Sequence, residues 1–451
     1  MKRRRFIQQA AVIGSGIPFL EYRSPSPKAD SRKARLAFIG VGMRGAYLLK
    51  EAVSQGFTEV VAVCDVDPKA IDNVKQTIKE FKAREPVYFS GESDFEKIVK
   101  REDVDGVVIA TPWKWHVPMS VASMKAGKYT GCEVLAGLTV AEIWELVNTF
   151  EKTGSPYMML ENVCYRQDIM AILNMARKGM FGAIQYAECG YQHDLRDYLF
   201  NNGTQMFGGG VEFGPKAINE AHWRTQHYVD RNGDLYPTHG VGPVSQIMNI
   251  TRGNQYSYIV SMATPATGLN KYIMDQGGKD HPNSKVKFIC GDVVTSLIKC
   301  ANGEVVKMTF DTSSPRAYSL GFRIQGNEGI WTEDAKGIYF QKLASKPHEY
   351  EPIEKYLDLY DHPYWKKYNA LAKDAGHGGM DYFIIREFVD AVRYKKPLAM
   401  DVYDAAAWSV LSPLSEQSIA KNSQPIDIPD FTKGKWRTRK PVFGLNEDFL
   451  N

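Results

Sequence analysis

Gly40-Val41-Gly42-Met43-Arg44-Gly45 follows the apolar run from Leu36 to Val41 and opens a segment of helical spacing. In that setting GxGxxG is a dinucleotide fingerprint. Glycine permits the tight turn and the approach of a pyrophosphate, and the helix start offers free N–H groups and positive potential. Asp65 ends a second apolar run, Val60 to Cys64, 20 residues beyond Gly45. A carboxylate there accepts hydrogen bonds from ribose hydroxyls and repels a 2′-phosphate, so NAD is expected rather than NADP.

Outward from this loop, further short apolar runs lie at Gly106 to Ala110, Tyr129 to Val134 and Tyr157 to Leu160. Between them, Val121, Ala122 and Met124, then Ile143, Leu146, Val147 and Phe150, keep helical spacing. Strands alternating with helices imply a parallel, doubly wound sheet. After Tyr165 the pattern changes. A helix is expected over Asp168 to Lys178, then period-2 strands at Ile184 to Tyr191, Tyr256 to Met262, Val294 to Lys299, Val305 to Phe310 and Gly321 to Gln325. Asn302-Gly303 and Gly326-Asn327 supply turns. The expectation is an α/β chain: a Rossmann domain over 34–163, then an α+β domain over 164–451 with a large, open, mostly antiparallel sheet. Two long polar, aromatic stretches, 192–240 and 345–380, read as functional loops. A last helix is expected over Val402 to Ala420, packed back on the core.

Composition narrows the classes. With 451 residues, 44% hydrophobic and a net charge of +4, the chain is an ordinary multidomain globular protein. No basic stripe interleaved with aromatics points to nucleic acid. The 24 Tyr, 21 Phe and 8 Trp suit a carbohydrate cleft, but equally cores and interfaces. Six cysteines form no CxxC pair, so no metal site is expected. Met1-Lys2-Arg3-Arg4-Arg5-Phe6 before the apolar run Ala10 to Leu20 has the form of a twin-arginine export signal, with a linker to residue 33. That run is too short for a stable membrane span. Export by this route carries folded, cofactor-loaded proteins and implies a periplasmic location.

Ala110-Thr111-Pro112, His116 and Glu133 resemble the Gfo/Idh/MocA oxidoreductases. Their Glu-Lys-Pro motif carries a catalytic lysine; here Val134 stands in its place. Trp113-Lys114-Trp115-His116, Met159-Leu160-Glu161-Asn162-Val163-Cys164-Tyr165 and Gly233-Asp234-Leu235-Tyr236-Pro237-Thr238-His239-Gly240 resemble, more narrowly, glycoside hydrolase family 109, whose founding activity is α-N-acetylgalactosaminidase. Lys114 and Leu135-Ala136-Gly137 depart from that pattern. The resemblance implies NAD contacts at Met43, Arg44, Asp65, Trp113, Lys114, Trp115, His116, Glu133, Val134 and Asn162, with Gly40, Gly42 and Gly45 forming the loop. It implies sugar contacts at Tyr191, Arg224, Tyr236, Pro237, Thr238, His239 and Tyr318.

The implied chemistry is unusual for a glycosidase. Instead of two carboxylates flanking the bond, the sugar is oxidised at C3, the acidified C2 proton is removed, the C1 group is eliminated, water adds, and C3 is reduced again. Such a route needs bases at the C3 hydroxyl and at C2, and an acid at the leaving oxygen. His239 suits the C3 hydroxyl because imidazole titrates near neutrality. Tyr236 and His193 are the further acid/base candidates, and Arg224 offers a fork of donors for an acetamido oxygen or a hydroxyl. His116 is expected to flank the nicotinamide. Two alternatives stay open: an NAD-dependent sugar or inositol dehydrogenase, and a non-catalytic protein binding NAD and sugar. A homo-oligomer paired through the open sheet is expected.

Overall fold

The computed structural model describes residues 32–205 and 207–445, and the export signal expected before residue 32 lies outside them. Six strands form the first sheet: β1 (Ala34–Ile39), β2 (Thr58–Cys64), β3 (Val87–Phe89), β4 (Gly106–Ile109), β5 (Tyr129–Cys132) and β6 (Tyr157–Met159). Their order is β3-β2-β1-β4-β5-β6 and every pairing is parallel. This is the doubly wound order that opens a crevice at the carboxyl ends of β1 and β4. β1, β2 and β4 are buried almost throughout, as a sheet covered on both faces requires. β3 was not expected; three residues between Pro86 and Ser90 are too few to show a period.

The second sheet has nine strands: β7 (Ile184–Gln192), β8 (Tyr256–Ala263), β9 (Val293–Cys300), β10 (Val305–Asp311), β11 (Arg323–Gly326), β12 (Gly329–Thr332), β13 (Gly337–Phe340), β14 (Glu351–Pro352) and β15 (Ile426–Asp427). All pairings are antiparallel except β7 with β10. The helix Thr238–Ile247 lies on its inner face at β7. A Cβ on Gly240 would stand 2.7 Å from the Gly190 nitrogen, and one on Gly190 would stand 2.0 Å from the Thr309 carbonyl oxygen. Gly240 thus allows the helix to approach β7, and Gly190 allows β7 to lie against β10.

Three expectations need correction. The stretches at 192–240 and 345–380 are not long loops. They fold into short helices, among them Arg196–Leu199, Gln226–Asp230, Glu354–Tyr360 and Pro363–Ala372. The single helix expected over Val402 to Ala420 is two, Val402–Ser409 and Leu411–Ala420. Pro413 has no N–H to offer the Ser409 carbonyl, which interrupts the ladder. The first of the two is buried on every side rather than amphipathic. The chain after the second sheet also returns to the first. Helix Met380–Tyr394 presses on β4 and β5, where glycines 106 and 131 leave room for Val392 and Phe388. The Met159 N–H, at the end of β6, donates to the Met400 carbonyl at 3.1 Å.

The glycine loop separates two roles. A Cβ on Gly45 would lie 1.9 Å from the Gly40 carbonyl oxygen, whereas one on Gly42 would meet nothing within 4 Å. Gly45→Ala is therefore expected to lower stability by at least about 2 kcal/mol in thermal or denaturant melts, the scale of overpacking. Gly42→Ala is expected to melt within about 0.5 kcal/mol of the parent, yet to bind NAD more weakly by titration calorimetry.

Candidate active site

A cavity of about 900 Å³ opens at the carboxyl ends of β1, β2, β4 and β5. Gly40, Gly42, Met43, Arg44, Asp65, the segment Trp113 to His116, Glu133 and Val134 line it, and Arg224 and Tyr236 close its far end. The open cradle at Gly42 faces this space. Asp65 Oδ2 accepts from the Val41 N–H at 2.6 Å and Oδ1 from the Asp67 N–H at 2.9 Å. Each oxygen keeps a lone pair for a ribose hydroxyl. The residues present fit a dinucleotide.

Beyond the cavity, a tight group of rings joins the two sheets. The His239 Nδ1–H donates to the Glu161 carboxylate, at 2.8 Å and 2.9 Å from its two oxygens. Glu161 is fully enclosed, and it also accepts from the Val163 N–H at 3.1 Å. The Tyr236 ring stands perpendicular to His239 with centroids 4.8 Å apart, and Tyr191 lies 4.7 Å from Tyr236 and 5.3 Å from His239. Burial pushes the Tyr236 phenol well above its ordinary pKa, although the Arg224 guanidinium pulls the other way. It is a proton donor at neutral pH. His193 sits at 3.3 Å from the Tyr191 hydroxyl, its pKa lowered by burial and by Arg224. Tyr318 lies at the rim, half exposed, with its ring 4.9 Å from that of His193.

Arg224 connects the two regions. Its guanidinium carbon is 4.7 Å from the Tyr236 ring centre and 5.3 Å from that of Trp113. Nη1 pairs with Glu220, which together with the neighbouring tyrosines holds the charge in place despite burial. Nε and Nη2 are buried without a hydrogen-bond partner among the described residues. Such donors are costly unless a ligand accepts from them.

Several expected contacts have other partners. His116 lines the cavity, but both of its ring nitrogens have protein partners. Its Nδ1 meets the Leu135 carbonyl at 2.5 Å and its Nε2 the Thr111 carbonyl at 2.8 Å. Burial pushes its pKa down, but neighbouring Cys132 and the two carbonyls outweigh that and hold it at about 9. His116 is a cationic brace between the loops after β4 and β5. Arg44 lines the cavity, but its guanidinium is taken by Glu133 at 2.7 Å and, bidentately, by Asp381 at 2.8 Å and 3.0 Å. The Asn162 amide donates to the same Asp381 at 2.9 Å. Gly45 packs under the loop, outside the cavity wall, and Thr238 is wholly enclosed. Pro237, also buried, accepts from the Gly240 and Val241 N–H groups to start the helix that carries His239. Lys114 is exposed, its ammonium 5.5 Å from the Trp115 ring. Among the described residues no group of three or more His, Cys, Asp or Glu is placed to hold a metal, and no helix is long and apolar enough to cross a membrane.

Two family models match the chain. One, an oxidoreductase family with an NAD-binding Rossmann fold, covers residues 34–161; the other, the C-terminal domain of glycosyl hydrolase 109, covers residues 165–438. A glycosyl hydrolase family 109 protein of Stenotrophomonas maltophilia is 46% identical over 99% of both chains. The chain belongs to glycosyl hydrolase family 109. An α-N-acetylgalactosaminidase of Tannerella forsythia is 49% identical over 97% of this chain and 94% of its own. A levoglucosan dehydrogenase solved with NADH and L-sorbose shares the fold at a TM-score of 0.64 and 18% identity, over 89% of this chain and 100% of that one.

Within this family 109 chain, Glu161 and Asp381 are the functional residues that sequence reasoning missed. Glu161 lies inside the Met-Leu-Glu-Asn block, which was the available signal; nothing near Asp381 pointed to it. His227, likewise unforeseen, packs its ring 4.9 Å from that of Trp113, and burial, with Arg231 and Arg224, pushes its pKa from 6.5 to about 4. Above pH 6.5 folded and unfolded states are both neutral at this residue. As pH falls from 6.5 toward 4 the unfolded chain gains a proton that the native one resists, so stability drops with acidification. Relative to wild type, His227→Gln is expected to lose less melting temperature across that window, with the difference constant above it.

Proposed function

We propose that the chain hydrolyses N-acetylgalactosaminides, α-linked in preference, with NAD recycled in place. The observation that carries this is the His239–Glu161 dyad beside Tyr236 at the end of the NAD cavity, combined with Val134 where dehydrogenases of the same fold keep a lysine. Bound NAD supplies a reversible oxidation of the sugar at C3. His239 takes the C3 hydroxyl proton through Nε2 while Glu161 fixes its tautomer and steadies the imidazolium. With C3 a ketone, the C2 proton is acidic and His193, kept neutral by its surroundings, is the base beside Tyr191. Tyr236, held as a phenol, donates to the leaving oxygen. Arg224 directs its two unpartnered nitrogens at the acetamido oxygen. Water then adds across the alkene, and the same groups run in reverse.

Nitrophenyl α-N-acetylgalactosaminide is expected to release nitrophenol without net NADH, and product formed in heavy water is expected to carry deuterium at C2. His239→Ala is expected to slow release by roughly 10²–10⁴-fold, the range for one positioned acid/base group, with NAD still bound. Steady NADH production from free sugar would establish the dehydrogenase instead.

Export by Arg3-Arg4 and pairing of two copies through the open face of the second sheet belong to the same proposal. Tyr258 (39% exposed), Met262 (63%) and Leu297 (49%) share that face in register. Osmotic shock is expected to release the protein with NAD bound and at twice the chain mass by light scattering. Replacing Arg3 and Arg4 with Lys is expected to retain it in the cytoplasm.

A further inference from the structure

Asp381 stands 337 residues from Arg44 in sequence, yet receives it bidentately. It is 1% exposed and accepts from four nitrogens: two of Arg44, the Asn162 amide, and His377 Nδ1 at 2.7 Å. Arg44 opens the helix Met43–Ser54 directly after the glycine loop, and its other side meets Glu133, whose Oε2 also accepts from the Val134 N–H at 3.2 Å. Both Arg44 and Glu133 are cavity wall. His377 lies on the solvent side, half exposed, in a left-handed turn with φ of 53°, followed by Gly378 at 65° and Gly379 at 98°. A chain turned this way, strained for the histidine, brings the imidazole back over the carboxylate. From solvent inward the order is His377, Asp381, Arg44, cavity.

We propose that this cluster is a latch on the cofactor: Asp381, acting through Arg44, holds the glycine-loop helix against the C-terminal helix Met380–Tyr394 and sets how slowly NAD leaves. Nothing in the fold of either sheet requires the ion pair. Helix Met380–Tyr394 is already seated by Phe388 at Gly131 and by Val392 at Gly106. What the pair adds is a charged tie across the cavity wall, of the bidentate geometry that restricts a guanidinium most. Neutralising Asp381 leaves Arg44 with one carboxylate where it had two, and frees the loop to move outward. Asp381 is thus a positioning residue, and the inference rests on NAD occupying the cavity rather than on the hydrolase reading.

The test reads NAD directly, without substrate. Purified holoprotein is passed into NAD-free buffer well below its melting transition, and retained NAD is followed by chromatography after denaturation. Asp381→Asn is expected to shorten the half-time of NAD loss at least about tenfold, a change of roughly 1.4 kcal/mol in the barrier. Asp381→Glu is expected to recover part of that loss. A purely structural role would lower the melting transition and leave NAD retention below it unchanged, and that result overturns the latch. Should Asp381→Asn fail to fold, His377→Ala, at an exposed position, decides: a half-time shortened by about two- to threefold supports the latch, and an unchanged one overturns it.

Discussion

The buried carboxylate of Glu161 is the constraint on which the site depends. An ion this enclosed costs several kcal/mol unless its lone pairs are met, and the groups that meet it come from two different layers. The Val163 N–H belongs to its own turn after β6; the His239 imidazole arrives from a helix seated on the second sheet. For the imidazole to reach, that helix must lie nearly on β7, which is why Gly240 faces Gly190 with no room for a side chain. Gly242, two residues on, leaves the space into which the Glu161 methylene fits, 3.0 Å from where a Cβ would stand. The glycines of the Thr-His-Gly-Val-Gly run are therefore clearance that lets His239 and Glu161 meet. With Nδ1 fixed on Glu161, Nε2 is left to face Tyr191, Tyr236 and whatever occupies the space between them.

Charge around the cavity is divided unequally. Arg44 spends Nε and one N–H of each terminal nitrogen on two carboxylates, and both ring nitrogens of His116 meet carbonyls. Arg224 is the contrast: it is as deeply buried, yet two of its nitrogens are unpartnered. The Trp113 and Tyr236 rings, themselves 5.9 Å apart, both pack against the guanidinium without using its N–H groups. A guanidinium so held presents donors of fixed direction, which suits a planar acceptor such as an amide oxygen. On the proposed reading, with Val134 offering no ammonium at the cavity wall, acid/base work falls to the group around His239 and Tyr236.

What could be read from the sequence was what is encoded within a few residues. The GxGxxG loop, Asp65, the alternation of the first sheet and the period-2 strands are of this kind, and the structure places the loop before a helix, Asp65 at the end of β2, and the strands in two sheets. Pairings over long separations were not legible. Arg44 looked free for a pyrophosphate because its partner is 337 residues away, and His239 looked solitary because Glu161 is 78 residues earlier. Helix Met380–Tyr394 escaped notice for a different reason. It is buried on nearly all sides, so its sequence carries charged residues, Asp381, Glu387, Asp390 and Arg393, that are paired inside rather than turned to water. Arg386, Asp390 and Arg393 still fall on one face at i, i+4 and i+7 spacing, so the periodic signal was in the sequence and went unread.

The same blindness bears on how one fold serves two chemistries. The framework shared with a levoglucosan dehydrogenase at 18% identity shows that the two sheets and the crevice are indifferent to the reaction. A dehydrogenase that passes its electrons to a free nicotinamide pool must let its cofactor go after each turnover. A hydrolase that oxidises and then reduces the same carbon must keep it, because loss of the reduced form midway strands the sugar as a ketone. Those opposite demands act on the rate of cofactor release, and release is governed at the cavity wall rather than at the reacting carbon. An ion cluster running from His377 through Asp381 to Arg44 and Glu133 is a wall of that kind. It lies where one chain segment from each end of the sequence meets, and it acts on the glycine loop through Arg44 without touching the His239–Glu161 pair. A latch of the kind proposed for Asp381 would add NAD retention with no new fold and no new catalytic group, only carboxylates placed to hold one arginine still.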